Sequence, residues 1–154
     1  MTDLDAMVGA LNELYRLSGS AKVHADTVRS TGVALSQTGL RALSLVQDSP
    51  RLTGTDLSTA LDVSQPTASR VLQQLENDGL VTRHASDTDG RVSHYVTTAK
   101  GKRALAKVHR YHVDRLAFAL EGLDADARDA LAGAVTELVH RFTAAAQPQK
   151  RRTA

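Results

Sequence analysis

The sequence predicts a mainly α-helical chain with one small β-hairpin: a winged helix-turn-helix flanked by N- and C-terminal dimerisation helices. Three observations lead there. Leucines and valines recur at spacings of three and four through most of the chain, the period of a helix with one buried face. The pattern breaks at LVTRHA (80–85) and RVSHYVTT (91–98), two runs rich in β-branched residues separated by SDTDG. Within that separator Asp89-Gly90 signals a hairpin turn, because glycine accepts positive φ.

The first 31 residues read as one long helix, with Leu4, Met7, Val8, Leu11 and Leu14 on one stripe and Gly19 marking a bend. TGVALS (31–36) connects it to a helix over 37–48, capped by Ser36, that turns Leu40, Leu43 and Val46 inward. DSPR (48–51) ends that helix, since proline restricts the residue before it. Residues 53–61 fit a short helix with Leu57 and Leu61 inward, and Asp62-Val63 a brief turn. Ser64 then caps a helix running to about Asn77, with Pro66 in its first turn, where a missing N–H does no harm, and Gly79 closing it. Two helices follow the hairpin, over 98–121 and 124–145. The expected organisation is an N-terminal dimerisation helix (1–35), a winged helix-turn-helix (36–98), C-terminal helices completing the dimerisation region (99–146) and a disordered basic tail (147–154).

Composition narrows the classes. At 154 residues, 42% hydrophobic and 23% charged, the chain fits a single globular domain with extensions. Aromatic residues make up only 3%, too few for a platform that stacks single-stranded bases. The net charge of +2 is compatible with a polyanionic partner but does not argue for one. The absence of cysteine excludes disulfides, thiolate metal sites and thiol switches. No apolar run approaches a membrane span and the N-terminus does not read as a secretion signal, so a cytoplasmic location is expected. No phosphate loop, nucleophile elbow or metalloprotease motif appears, so no enzyme and no cofactor are expected. Asp124, Asp126 and Asp129 read as favourable charges at a helix N-terminus.

The helix over 65–77 carries the functional signal. With Ala68, Val71, Leu72 and Leu75 inward, Pro66, Thr67, Arg70, Gln73, Gln74 and Asn77 point outward, and Glu76 and Asp78 fall to the sides. A face without carboxylates suits DNA phosphate, and arginine can reach phosphate or bind guanine through two parallel hydrogen bonds. Thr67, Ser69 and the glutamines are types that reach bases or phosphates, while Ser64 and Gln65 sit at the helix N-terminus, which favours a phosphate. The short preceding helix and tight turn match helix-turn-helix geometry. Arg91, just past the hairpin tip, is placed to enter an adjacent minor groove, with Asp87 or Asp89 able to hold its guanidinium in direction.

The stretches VSQPTASRVLQQLENDGLVTR (63–83) and DTDGRVSHYVTTAKGKRAL (87–105) resemble the MarR family of bacterial transcription regulators. The second is similar to the family's wing signature through Asp89, Arg91, Thr97 or Thr98, and Gly101, with Val96-Thr97 where leucine-threonine is usual. The likeness covers 36–105 by motif and the rest by helix layout. It implies a homodimer bound to a pseudo-palindromic double-stranded operator, with helix 65–77 in the major groove and Arg91 in the minor groove. It also implies a regulator, expected to repress, that a small-molecule effector releases from DNA, often a small aromatic or lipophilic anion.

Apolar stripes on the end helices support the dimer. Leu131, Val135, Leu138, Val139 and Phe142 line the last helix, and a 60-residue winged helix has too little surface to cover both terminal stripes. Each leucine left in water forgoes about 1.5–3 kcal/mol. His109 and His112, three apart in the stripe Leu105, Val108, Leu116 and Leu120, are candidates for structural, effector-pocket or metal-binding roles. Two alternatives stay open: a winged-helix module that binds protein, and a metal-responsive regulator using His109 and His112.

Overall fold

A computed structural model of the chain describes residues 2–85 and 92–146. Among them the order is α1 (Asp3–Ser18), α2 (Ala21–Thr31), α3 (Gln37–Asp48), β1 (Leu52–Thr53), α4 (Gly54–Leu61), α5 (Gln65–Asn77), β2 (Val81–Ala85), β3 (Ser93–Thr97), α6 (Ala99–Ala119) and α7 (Ala125–Ala146). This is the mainly helical winged fold that the sequence predicts. Contacts divide the chain into two compact units between Val113 and Asp114.

In the first unit, α3, α4 and α5 pack on one another, and the sheet packs on α3 and α5. Leu43, Val46, Leu57, Leu72, Leu75 and Val81 are fully buried there. All of these but Val81, which lies on β2, are residues that the three-and-four spacing turns inward, so periodicity and packing agree in the helices. Leu40 and Val71 are half-buried at the edge of this core. The strands are antiparallel in the order β1-β3-β2, with Arg83 opposite Tyr95 and His84 opposite His94.

Two local features differ from expectation. The N-terminal segment is two helices: Gly19 donates its N–H to the Tyr15 carbonyl, and the Ser20 hydroxyl accepts from the Val23 N–H at 3.2 Å as a new N-cap. A serine cap restarts the helix where glycine weakens it. The second feature is β1, whose Leu52 pairs with Tyr95 and Thr53 with His94. Two residues are too few to show an alternating pattern. The turn at Asp89-Gly90, the wing residues Asp87, Asp89 and Arg91, and the tail 147–154 lie outside the described residues.

The hairpin is tied to α5 at one crowded point. Gly79, at φ +68°, turns the chain out of α5. Thr98 then donates its hydroxyl to the Gly79 carbonyl at 2.7 Å and its N–H to the Leu80 carbonyl at 3.0 Å, while that hydroxyl accepts from the Gly101 N–H at 3.1 Å. A Cβ on Gly101 would lie 2.2 Å from the Leu80 carbonyl oxygen and 2.7 Å from the Thr97 methyl. Only glycine permits this approach.

α1 contains no buried residue, and Leu4, Met7, Val8, Leu11 and Leu14 stand exposed on it. In the second unit, Leu131, Val135, Val139 and Phe142 of α7 are likewise exposed in the single chain. No described helix is long and apolar enough to cross a membrane.

Gly101→Ala is expected to destabilise the fold by about 1–3 kcal/mol, the range of an overpacked site whose neighbour is backbone. A denaturant midpoint equal to that of the parent would show that the Leu80 carbonyl moves aside freely.

Candidate nucleic-acid interface

Local chemistry starts α4 and α5 at fixed positions. Thr53 and Asp56 form a capping box: the Thr53 hydroxyl and N–H donate to Asp56 Oδ2 at 2.7 and 2.9 Å, and the Asp56 N–H returns to Thr53 Oγ1 at 3.2 Å. α4 ends at Asp62, whose φ of +53° is the left-handed conformation that aspartate tolerates better than most residues. The Val63 N–H reaches back to the Ser58 carbonyl at 3.1 Å. Ser64 then caps α5, its hydroxyl accepting from the Thr67 N–H at 3.3 Å. The sharp turn between α4 and α5 follows from these bonds.

α5 buries Ala68, Leu72 and Leu75 and turns the opposite side to solvent. Ser64, Gln65, Pro66, Ser69, Arg70, Gln73 and Gln74 are all exposed. Arg70 forms no hydrogen bond or ion pair among the described residues. No acidic residue lies in the first turn of the helix. Two residues are less free than their positions suggest. Thr67 is half-buried, its hydroxyl 2.9 Å from that of Ser64. Gln74 Nε2 donates to both carboxylate oxygens of Asp78 at 3.1 Å, so it reaches outward only by releasing them.

On the hairpin, Arg83 Nε donates to Ser93 Oγ at 2.9 Å. The rings of His84 and His94 stack at 5.5 Å, and Thr82 Oγ1 lies 3.0 Å from His84 Nε2. Arg91, Asp87 and Asp89 carry no geometry because they fall outside the described residues.

The two central histidines of α6 separate. Val108 takes the buried position, and His109 and His112 are both exposed in the chain. His112 lines a cavity of about 510 Å³ together with His24, Tyr15, Val23, Leu40 and Arg41, and His109 does not. His24 is the residue that sequence spacing could not pair with His112, because it comes from another helix. Among the described residues, no three histidine, aspartate or glutamate side chains are grouped to hold a metal ion.

Residues 35–92 match the profile of the MarR family. A transcriptional regulatory protein assigned to the hcr operon in Thauera aromatica is 34% identical over 68 residues, which span 44% of this chain and 41% of that protein. The fold of Streptococcus pneumoniae FabT, solved in complex with DNA, superposes with a TM-score of 0.66 at 20% identity, covering 92% of this chain and 98% of that one. A transcriptional regulator from Thermotoga maritima gives a TM-score of 0.70 at 21% identity, covering 90% and 95%. A MepR variant from S. aureus bound to an oligodeoxyribonucleotide gives 0.60 at 18% identity, covering 86% and 97%. At these identities the structural likeness establishes the fold. The Thermotoga maritima neighbour, like the Thauera aromatica relative, carries the name of a transcriptional regulator.

The Thr53 hydroxyl, then its N–H, holds the Asp56 carboxyl below the usual aspartate range. A carboxyl lowered in the folded state stabilises it above the unfolded pKa, and that contribution is lost as pH falls through the folded one. The stability gap between the parent and Asp56→Ala is therefore expected to be full at pH 7 and to shrink below about pH 4. Denaturation midpoints from pH 2 to 7 check it; a gap independent of pH would assign the effect to something other than the carboxylate.

Proposed function

We propose that the chain is a transcription regulator of the MarR family, whose profile residues 35–92 match, and that it binds a pseudo-palindromic double-stranded operator as a homodimer, represses from it, and is released by a small-molecule effector. The observation that carries the DNA reading is the exposed side of α5: Arg70 without a partner among the described residues, flanked by Ser69, Gln73 and the capped N-terminus at Ser64, with no carboxylate in the first turn. Such a face meets the phosphate rims and base edges of a major groove without charge repulsion. Ser64, Gln65, Pro66, Thr67 and Gln74 complete the contact set, and Arg91, oriented by Asp87 or Asp89, is the minor-groove arm. A DNA-binding role places the protein in the cytoplasm.

The dimer reading is supported by the uncovered apolar rows of α1 and α7, with Leu4 71% and Phe142 61% exposed in one chain. Packing them against a second copy removes that surface from water. Residues 1–35 and 99–146 then form the dimerisation region and 36–98 the reading head. Two heads about 34–36 Å apart match successive major grooves on one side of a duplex.

The effector reading rests on the His112 cavity. Arg41, His24 and His112 supply positive or protonatable groups, and Val23 and Leu40 an apolar surface. That lining suits an anion with an apolar body. His112 is retained here as a pocket residue; His109 does not line this cavity.

Duplex affinity is expected to fall with salt at a log–log slope near −0.9 per phosphate neutralised. Arg70→Ala is expected to weaken operator binding by about 1–3 kcal/mol if the side chain reads a base, and to weaken all sequences alike if it touches only phosphate. Fluorescence anisotropy with a selected operator and a scrambled duplex separates the two. Affinity unchanged by Arg70→Ala, or absence of duplex binding at low salt, would favour a protein-binding winged helix instead.

Sedimentation of the full chain is expected to give twice the 16.5 kDa chain mass. Leu11→Asp with Val135→Asp is expected to shift it to monomer and weaken operator binding. A parent that sediments as a monomer at micromolar concentration contradicts the shared core.

A further inference from the structure

Two histidines of the hairpin have no role in the interface above. His84 of β2 lies directly opposite His94 of β3, and their rings stand 5.5 Å apart, centre to centre, with planes 18° from parallel. Side chains alternate between the two faces of a sheet. Val81 and Thr97 pair with each other and are buried on the core side. Thr82, His84, Val96 and His94 therefore share the other face, where His84 is exposed and His94 half-buried. Arg83 alternates to the core-side face and donates to Ser93 Oγ at 2.9 Å. The histidine face of β2 and β3 thus carries no lysine, arginine, aspartate or glutamate among the described residues.

A neighbouring hydroxyl sets the ring of His84. Thr82 Oγ1 donates to the Val96 carbonyl oxygen at 3.4 Å and lies 3.0 Å from His84 Nε2. A threonine hydroxyl has a single proton to give. With that proton on the Val96 carbonyl, Thr82 accepts from Nε2–H, and the ring lone pair of His84 is left on Nδ1. A partner that engages one ring nitrogen and frees the other is the usual support of a metal-binding histidine.

The chemistry of the pair selects its ligand. Two imidazoles in their neutral form offer two nitrogen lone pairs and no charge. An anion finds no cation on this face, and Ca²⁺ or Mg²⁺ finds no carboxylate. Imidazole suits the late first-row ions, and among these Cu²⁺ binds nitrogen ligands most tightly. The spacing agrees. Two imidazoles on one tetrahedral ion, at the usual nitrogen–metal length of about 2.0–2.1 Å, have ring centres about 5 Å apart. We propose that His84 and His94 together bind one late first-row divalent ion, Cu²⁺ most tightly, on the outer face of the hairpin, with water completing its coordination. The ion joins β2 to β3. The unfolded chain does not hold the two rings side by side, so the ion stabilises the folded state. The site rests on the register of the hairpin and not on the proposed DNA role.

The test uses the full-length protein, ¹⁵N-labelled, titrated with Cu²⁺, whose unpaired electron broadens the signals of nearby amides. The expected result is selective broadening at His84 and His94 that saturates at one ion per chain. His84→Gln and His94→Gln should each weaken binding by about tenfold or more, at least the loss that follows from removing a supporting partner of a metal ligand. His84 is exposed, so His84→Gln leaves the core intact, and an unchanged circular dichroism spectrum checks this. His140→Gln, exposed on α7, should leave binding unchanged. Cu²⁺ should raise the melting temperature of the parent more than that of either hairpin variant. Broadening confined to other histidines or to the N-terminus, no broadening at equimolar Cu²⁺, or one ion per two chains would overturn the site. Parent-like affinity or an equal melting shift in His84→Gln or His94→Gln would show two independent surface histidines and also overturn it.

Discussion

A helix packed on a core has one consequential freedom, its rotation about its own axis. In α5 that rotation is fixed by Ala68, Leu72 and Leu75, which are buried against the neighbouring helices and the sheet. Turning the helix by a third of a revolution would expose two leucines and bury Arg70 or Gln73. The cost would include several kcal/mol of lost apolar burial, plus an arginine desolvated without a partner. The candidate DNA-facing surface is thus the complement of the hydrophobic core.

The same core sets where α5 begins and how the hairpin leaves it. The bonds of Thr53 with Asp56 and the left-handed Asp62 determine the entry. The contact of Gly101 with the Leu80 carbonyl determines the exit, because α6 could not start so close to the strand if a side chain stood there. A reading head that places side chains against base edges needs this precision, since a displaced helix loses paired hydrogen bonds first. Gly101 belongs to the wing-like motif in the sequence, and the structure gives that glycine a steric reason.

Charge is distributed by the same logic. The excess over neutrality is only +2, yet some of the cations that form no ion pair among the described residues line clefts: Arg70 on α5, Arg41 with His112, and Arg103 with Lys107 on α6. The described ion pairs lie within single turns of α1, α2 and α7, as in Glu13 with Arg16 and Glu137 with Arg141. Exposed pairs of that kind contribute little to stability. Position, and not total charge, distinguishes the surfaces of this protein that are proposed to meet anions.

Much of this was legible in the chain itself. Helical spacing identified the inward residues of α3, α4 and α5, and with them the outward Arg70, because a period of 3.6 residues converts spacing into direction without any tertiary information. Ser36 and Ser64 marked helix starts for an equally local reason, a hydroxyl within reach of the next free N–H groups. Other features depended on residues far apart in sequence. The strand β1 exists because β3 is there to pair with it, and two residues carry no period of their own. His112 lines a cavity with His24 from α2 and without its helical neighbour His109, since spacing describes one helix and a cavity is made by several. Likewise, spacing puts Lys100, Arg103 and Lys107 on one side of a helix, and only the fold sets them beside the α2–α3 connection. Local periodicity determined which side of each core helix is buried; only the packing of distant segments decided which exposed groups line the same cleft.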